Sequence, residues 1–219
     1  MNYKIHSTCQ IPGLNQIYLN KFDYITNGTF VEIGAYDGEY VSNTSGLADI
    51  GWRGVYVEPV KSFYNKCSNR HQKNSNITTV NKAVSSTDGE TLTIHSSGPL
   101  SSISIKSVEN FKRMGWGSWG SEQQVTSITL ETLLNECDIK PNFDLLVVDV
   151  EGYEHEVLKN WDINKWAPKM VIVELHDKNP NYISLNKNGE LTSIREKFLK
   201  NGYRCVFENL GNSIFVREL

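Results

Sequence analysis

The chain is short of several things that would have decided its class at once. None of its apolar runs approaches the roughly 20 residues needed to cross a bilayer. The opening MNYKIHSTCQIPG lacks the apolar core of an export signal, so a cytoplasmic protein is expected. Neither charge sign dominates: 22 Lys+Arg against 25 Asp+Glu leave a net charge of -3. That balance, with no Lys/Arg stripe, argues against nucleic acid or anionic lipid as a partner. The four cysteines (Cys9, Cys67, Cys137, Cys205) contain no CxxC pair to suggest zinc, and their scatter suits reduced thiols. No repeat, low-complexity tract or linker interrupts the 219 residues, a length that builds one sizeable core. A single domain over 1–219 is expected, with 1–28 as a helical or irregular lead-in.

What is present is alternation. Thr29–Ile33, Gly54–Glu58, Ile77–Lys82, Phe143–Asp149 and Lys169–His176 read as short buried strands. Between them, Val60, Phe63, Tyr64 and Cys67 repeat as one helix face; so do Leu130, Leu133, Leu134 and Cys137, and Leu191, Ile194, Phe198 and Leu199. Strands alternating with helices predict an α/β fold, a mostly parallel central sheet with helices on both faces. The final GYRCVFENLGNSIFVREL reads as two strands around a turn at Leu210–Asn212, placing antiparallel pairing at the C-terminal edge. Asp88-Gly89, within TDGETLTI, is a hairpin signal between short strands. Residues 97–124 show no clean period and are rich in Gly and Ser, so a long functional loop is expected there.

The informative stretch is TFVEIGAYDGEYVSNT, Thr29–Thr44. A glycine turn, Gly34–Gly38, leaves the first strand, where an open sheet binds its ligands. Glycine lets backbone approach a ligand closely. The spacing is GxxxG, not the GxGxxG that seats a pyrophosphate, and the acids Glu32 and Asp37 suit a cationic ligand. Glu58 ends the next strand, placed to accept from both hydroxyls of a ribose. A nucleoside with positive charge and no phosphate fits this set, and S-adenosylmethionine is one.

At these residues the chain resembles the FkbM-type methyltransferases, over about Thr29 to Asp177. FVEIGAYDGEYVSNT looks like the family's first motif, in a branch with Ser-Asn-Thr after the turn, and GWRGVYVEP looks like the second. Asn69-Arg70 falls where that branch carries the same pair, and NKAVSSTDG is similar to the third-strand segment. DLLVVDVEGYEHEVLKN resembles the most diagnostic stretch, though Val147 stands where Lys or Ser is frequent. The resemblance implies a Rossmann-like methyltransferase sheet and O-methylation from S-adenosylmethionine. It also implies that Glu32, Gly34, Ala35 and Gly38 line the methionine end, and Tyr36 and Asp37 within the same turn are further cofactor-binding candidates. Glu58 with Pro59 would hold the ribose, Ala83 and Val84 the adenine, and Ser42 and Asn43 would face the cofactor.

Methyl transfer to an alcohol needs alignment and a home for the hydroxyl proton. Asp149, Glu151, Glu174, His176 and Asp177 arrive at the carboxyl edge on the fourth and fifth strands. Glu151 or His176 is expected as the base, with Asp149 orienting cofactor or base. The competing account is a divalent metal, Mg²⁺ or Mn²⁺, on Asp149, Glu174 and His176. Glu154 and Glu156 read as favouring a helix N-terminus, His71 and His155 as solvated helix residues, and Asp88 as a turn residue only. In the 97–124 loop, Trp116, Trp119 and Ser102 are candidates for acceptor recognition, and a sugar in a glycan or its activated precursor is the expected acceptor. A polyketide or lipid alcohol is the enzymatic alternative, and a non-catalytic cofactor-binding module the alternative of another class. So compact a chain leaves room for a homo-oligomer in which a neighbouring subunit closes the site.

Overall fold

The computed structural model describes residues 2–182 and 189–218. In chain order the elements are α1 (Leu14–Phe22), β1 (Thr29–Ile33), α2 (Ser45–Asp49), β2 (Arg53–Val57), α3 (Lys61–His71) and β3 (Ile77–Val80). An inserted region follows, with β4 (Ala83–Ser85), β5 (Thr91–Ser96), α4 (Ile105–Arg113) and β6 (Ser121–Thr129). The chain then runs through α5 (Leu130–Glu136), β7 (Leu145–Val148), α6 (Glu154–Leu158), α7 (Ile163–Trp166) and β8 (Met170–Glu174). It ends with α8 (Glu190–Lys200), β9 (Tyr203–Glu208) and β10 (Asn212–Arg217).

Seven strands form the main sheet in the order β3-β2-β1-β7-β8-β10-β9. β1 lies parallel between β2 and β7, β8 is parallel to β7, and β10 is antiparallel to both β8 and β9. The expected α/β sheet with an antiparallel C-terminal edge is therefore what the sequence builds. Its strands read as continuous apolar runs because both faces are covered. Val31, Ile33, Val55, Val57, Leu146, Val148, Val171 and Val173 face a layer that includes Leu133, Leu134, Val157, Ile194 and Phe198. Phe30, Tyr56, Leu145, Val147 and Ile172 face the opposite layer, with Leu14, Tyr18, Leu47 and Trp52. Val147 thus occupies core, well away from any polar role.

Two expectations are corrected. β4 and β5 flank Asp88-Gly89 but do not pair; β6 lies between them, parallel to β4 and antiparallel to β5. The turn signal was real, but the longer partner took the hydrogen bonds of both strands. The stretch 97–124 is likewise not all loop, since it holds α4 and the start of β6. Ser104 caps α4 by accepting from Ser107 N. The buried face is Ser107, Val108, Asn110 and Phe111, half of it polar, so no apolar period marks the helix in the sequence. Among the described residues, no helix is long and apolar enough to cross a membrane.

Strand order reverses beside β1. The chain moves outward from β1 to β3, then returns on the other side of β1 as β7. The carboxyl ends of β1 and β7 therefore meet at a topological switch point, where such sheets bind ligands. On the far side of the sheet's centre, Phe215 of β10 is fully buried and stacked on Phe198 of α8 at 4.8 Å. Phe215→Ala should lower the unfolding free energy by about 3–5 kcal/mol, read by urea denaturation followed by far-UV circular dichroism.

Candidate active site

The switch point opens with a close approach. Gly34, at φ +87°, sits so near the β7 exit that a Cβ there would lie 1.6 Å from the Asp149 carbonyl oxygen. Only glycine fits, on both conformation and space. Asp149 N donates to Ile33 O at 3.0 Å, which ties the two strand ends together. The turn then climbs through Tyr36 at φ 49° to Gly38 at φ 75°. Glu58, just past β2, accepts from Tyr36 N at 2.9 Å and Val60 N at 2.8 Å, one bond on each carboxyl oxygen. One lone pair on each oxygen is left for a ligand. Burial pushes the Glu58 carboxyl up to about 7, with the two backbone donors opposing the shift.

Beside this turn lies an open cleft lined by apolar side chains with a few convergent polar groups, the usual make-up of a small-molecule site. Of the residues singled out in the sequence, Gly34, Tyr36, Glu58, Pro59, Ala83, Val84, Asp149 and Glu151 line it. Ser101, a loop hydroxyl considered for the acceptor, lines it as well, whereas the sequence pointed to neither Phe63, whose ring is 4.5 Å from that of Tyr36, nor Ile94, Ile103 and Tyr153. Phe63 was legible only as part of a helix face. Ile94 and Ile103 reach the cleft through the pairing of β5 with β6, which local sequence does not announce.

Other candidates stand elsewhere. Ala35, Asp37 and Gly38 shape the turn without lining the cleft; Asp37 Oδ1 accepts from Glu39 N and Tyr40 N. Glu32 lies behind the turn, buried, accepting from Ser42 Oγ at 3.0 Å and from Thr44 Oγ1. Asn43 sits in the same layer, its carbonyl taking the Tyr18 hydroxyl at 2.9 Å. Burial raises Glu32 to about 7 despite those hydroxyls. Ser102 is buried and donates to Glu151 O at 2.7 Å, fixing the acid-bearing loop. Trp116 and Trp119 stack on Phe111 at 6.3 and 6.1 Å, and Trp119 lines a separate groove with His95, Lys112 and Glu122. His71 is buried, not solvated, and Glu154 is buried with Oε1 accepting from Val150 N and Gly152 N. Asp88 accepts from Thr129 N and Thr132 Oγ1, a structural role at the start of α5.

At the acidic rim, β7 has ended before the loop turns at Glu151, φ 57°. Oxygens of Asp149, Glu151 and Glu174 lie within 4.8 Å of one another. Burial, then the charge of Glu174, pushes the Asp149 and Glu151 carboxyls well above the ordinary range. His176 donates Nδ1–H to Leu210 O at 2.8 Å and lies 3.1 Å from Glu174 Oε1 through Nε2. Burial alone would lower its pKa, but Glu174 and the Leu210 carbonyl carry it up to about 9. The ring is thus an imidazolium at neutrality, stacked on Tyr182 at 3.8 Å. The three groups whose oxygens are brought together are Asp149, Glu151 and Glu174, with His176 behind Glu174, where Asp149, Glu174 and His176 were the expected set.

The strand order, the switch point and the acid-lined cleft at it define a Rossmann-like methyltransferase fold. The family model described as "Methyltransferase FkbM domain" matches residues 32–205. The chain belongs to the FkbM methyltransferase family, and S-adenosylmethionine-dependent methyl transfer is the activity that membership carries. Similar solved structures include precorrin-6y C5,15-methyltransferase from Geobacter metallireducens, at 11% identity and TM-score 0.48, covering 97% of this chain and 92% of that one. An O-methyltransferase from Bacillus cereus in complex with SAH has 11% identity and TM-score 0.45, covering 96% and 84%. Aeropyrum pernix fibrillarin with natively bound S-adenosyl-L-methionine has 11% identity and TM-score 0.45, covering 92% and 73%. No curated protein matches the chain by sequence.

The donor set fits S-adenosylmethionine: a two-pronged acceptor in Glu58, an apolar wall of Val84, Ile94 and Ile103, and carboxylates beyond. The raised acids also give a pH signature. Glu32 and Glu58 bind protons in the folded state up to about 7, against 4.5 when unfolded. Stability from them is therefore full below the unfolded value and lost as pH rises through 7. His176 adds to the fall, whereas His71, lowered by burial, opposes it only below its ordinary value. The unfolding free energy of the ligand-free protein should drop between about pH 5.5 and 8 by at least about 1 kcal/mol. Urea titrations across that range should also show a flatter profile for Glu32→Gln.

Proposed function

We propose that this chain transfers a methyl group from S-adenosylmethionine to a sugar hydroxyl, in a glycan or its activated precursor. The observation that carries the reading is the arrangement at the switch point, with Glu58 facing the same cleft as Asp149 and Glu151. Bound S-adenosylmethionine supplies an electrophilic methyl on a positively charged sulfur. Glu58 accepts from the ribose hydroxyls with the lone pairs its backbone donors leave free. Gly34, without a side chain, would leave backbone open to the ligand, and Val84 with Ile94 and Ile103 would form an apolar wall for the adenine.

Holding acceptor and donor in line supplies about 7–11 kcal/mol of the barrier in well-oriented systems. The remaining task is the acceptor's proton. Glu151 lines the cleft with no hydrogen bond to its carboxylate among the described residues, and its raised proton affinity suits a base working near neutrality. His176 has both ring nitrogens engaged, so its role is to hold Glu174 and offset the local negative charge. Asp149 shares the rim and orients the ligand. The sugar reading is supported by the polar flank of Ser101 and Tyr153 and by the half-exposed Trp116 on the neighbouring loop.

S-adenosylhomocysteine should bind in a calorimetric titration with a Kd in the micromolar range, and Glu58→Ala should lose that binding. Glu151→Gln should keep it while abolishing turnover, read as mass gain on saccharide acceptors incubated with S-adenosylmethionine. Turnover confined to lipid or polyketide alcohols would replace the sugar reading. Turnover lost on chelation and restored by Mg²⁺ would move the proton's release to a metal on Asp149, Glu151 and Glu174.

A further inference from the structure

His71 has no part in the chemistry above, yet it is placed directly beneath the glycine turn. It ends α3 and is 4% exposed. Its ring stacks on Tyr56 of β2, centroids 4.6 Å apart and planes 16° from parallel. Nε2 lies 3.2 Å from the carbonyl oxygen of Gly38. A carbonyl only accepts, so Nε2 carries a hydrogen and donates it. Nδ1 is buried and has no partner among the described residues. A hydrogen on Nδ1 would be a buried donor with nothing to bond, a costly state, so the neutral ring is the one this pocket holds.

The turn above it needs anchoring. Tyr36 (φ 49°) and Val41 (φ 53°) both sit in the left-handed region, costly for residues that carry a Cβ. On the cleft side Glu58 holds Tyr36 N. On the opposite side the matching hold is His71 on Gly38 O, and contact there is tight: a Cβ at Gly38 would stand 2.8 Å from Cys67 Sγ and 3.0 Å from His71 Nε2. One anchor is offered to the ligand's ribose; the other is shielded from it.

We propose that His71 is a positioning residue for the cofactor turn, its neutral imidazole donating Nε2–H to the Gly38 carbonyl so that Gly34 and Tyr36 stay set for S-adenosylmethionine. The proposal rests on the cofactor reading above. It carries a pH dependence, because protonating Nδ1 strains the pocket that holds the turn. The other titratable or charged groups around the ring are Cys67 and Arg70 on α3, Tyr56 on β2, Glu39 after the turn and Asp49 on α2. A His71→Gln variant leaves all of them in place and keeps an N–H near the Nε2 position, without a group that titrates.

Calorimetric titration with S-adenosylhomocysteine would compare wild type, His71→Leu and His71→Gln at pH 7.5, and wild type with His71→Gln from pH 5.5 to 8. His71→Leu should bind about tenfold more weakly, or about 1.4 kcal/mol, and His71→Gln within about twofold of wild type. As pH falls below 6.5 towards the lowered pKa of His71, wild type should progressively lose affinity relative to His71→Gln. Thermal midpoints of the unbound proteins, taken in parallel, separate this from a merely structural role, which would lower the midpoint and leave affinity unchanged. A folded His71→Leu with wild-type affinity overturns the proposal, as do superimposable pH profiles for wild type and His71→Gln. If His71→Leu does not fold, the profiles decide alone. Wild type that does not bind S-adenosylhomocysteine at all removes the cofactor reading and this proposal with it, whereas either earlier result in a binding protein removes this proposal only.

Discussion

The site depends on the contact between the β1 turn and the β7 exit, where Gly34 leaves no room for a side chain against the Asp149 carbonyl. Two parallel strands joined by a long excursion must come together at their carboxyl ends before any ligand can be bound. The hydrogen bond from Asp149 N to Ile33 O makes that junction rigid. Everything functional is then referenced to it. Glu58 is carried one strand to one side, Glu174 one strand to the other, and Asp149 and Glu151 emerge at the junction itself. A shift of one residue in the β1–β7 register would turn Glu32 and Ile33 to opposite faces and bury the wrong side of the turn.

The inserted region closes the cleft from above. β5 and β6 are long enough to place Ile94 over the ligand side. Ser102 then locks the insertion to the acidic loop through Glu151 O, and Gly152, where a Cβ would lie 1.9 Å from Ser107 Oγ, lets α4 settle against the same loop. The insertion and the acid-bearing loop are therefore mechanically joined. Whatever moves α4 also moves the backbone that carries Glu151.

The sheet was legible because its central strands are buried on both faces and so appear as unbroken Val, Ile and Leu runs. The acidic edge was legible as residue types, since acids following such strands have few places to go. That Glu174 and His176 share a face was legible too, but what holds the histidine there was not. His176 meets Glu174 because the β9–β10 turn supplies the Leu210 carbonyl, a partner 34 residues away. Glu32 was assigned to the ligand from its charge, its place before Gly34 and the family resemblance, but its side chain packs towards Thr44, which also bonds Tyr56. α4 escaped because serine and asparagine fill half of its buried face. In each case the missing information was long-range.

The charge at the rim also bears on which ligand the site can hold. Asp149, Glu151, Glu154 and Glu174 are gathered there, and His176 is the one cation bonded to any of them among the described residues. Such a group cannot be fully ionised in a low-dielectric setting; without a counter-charge it must hold protons, as the raised pKa values of Asp149 and Glu151 express. A neutral ligand would leave that state unchanged, and an anionic one would worsen it. On the proposed function, S-adenosylmethionine would bring a sulfonium and an ammonium to these carboxylates and so supply the counter-charge that lets one of them stay ionised. With the methyl gone the sulfur would be neutral, so these carboxylates would gain less from the product than from the donor.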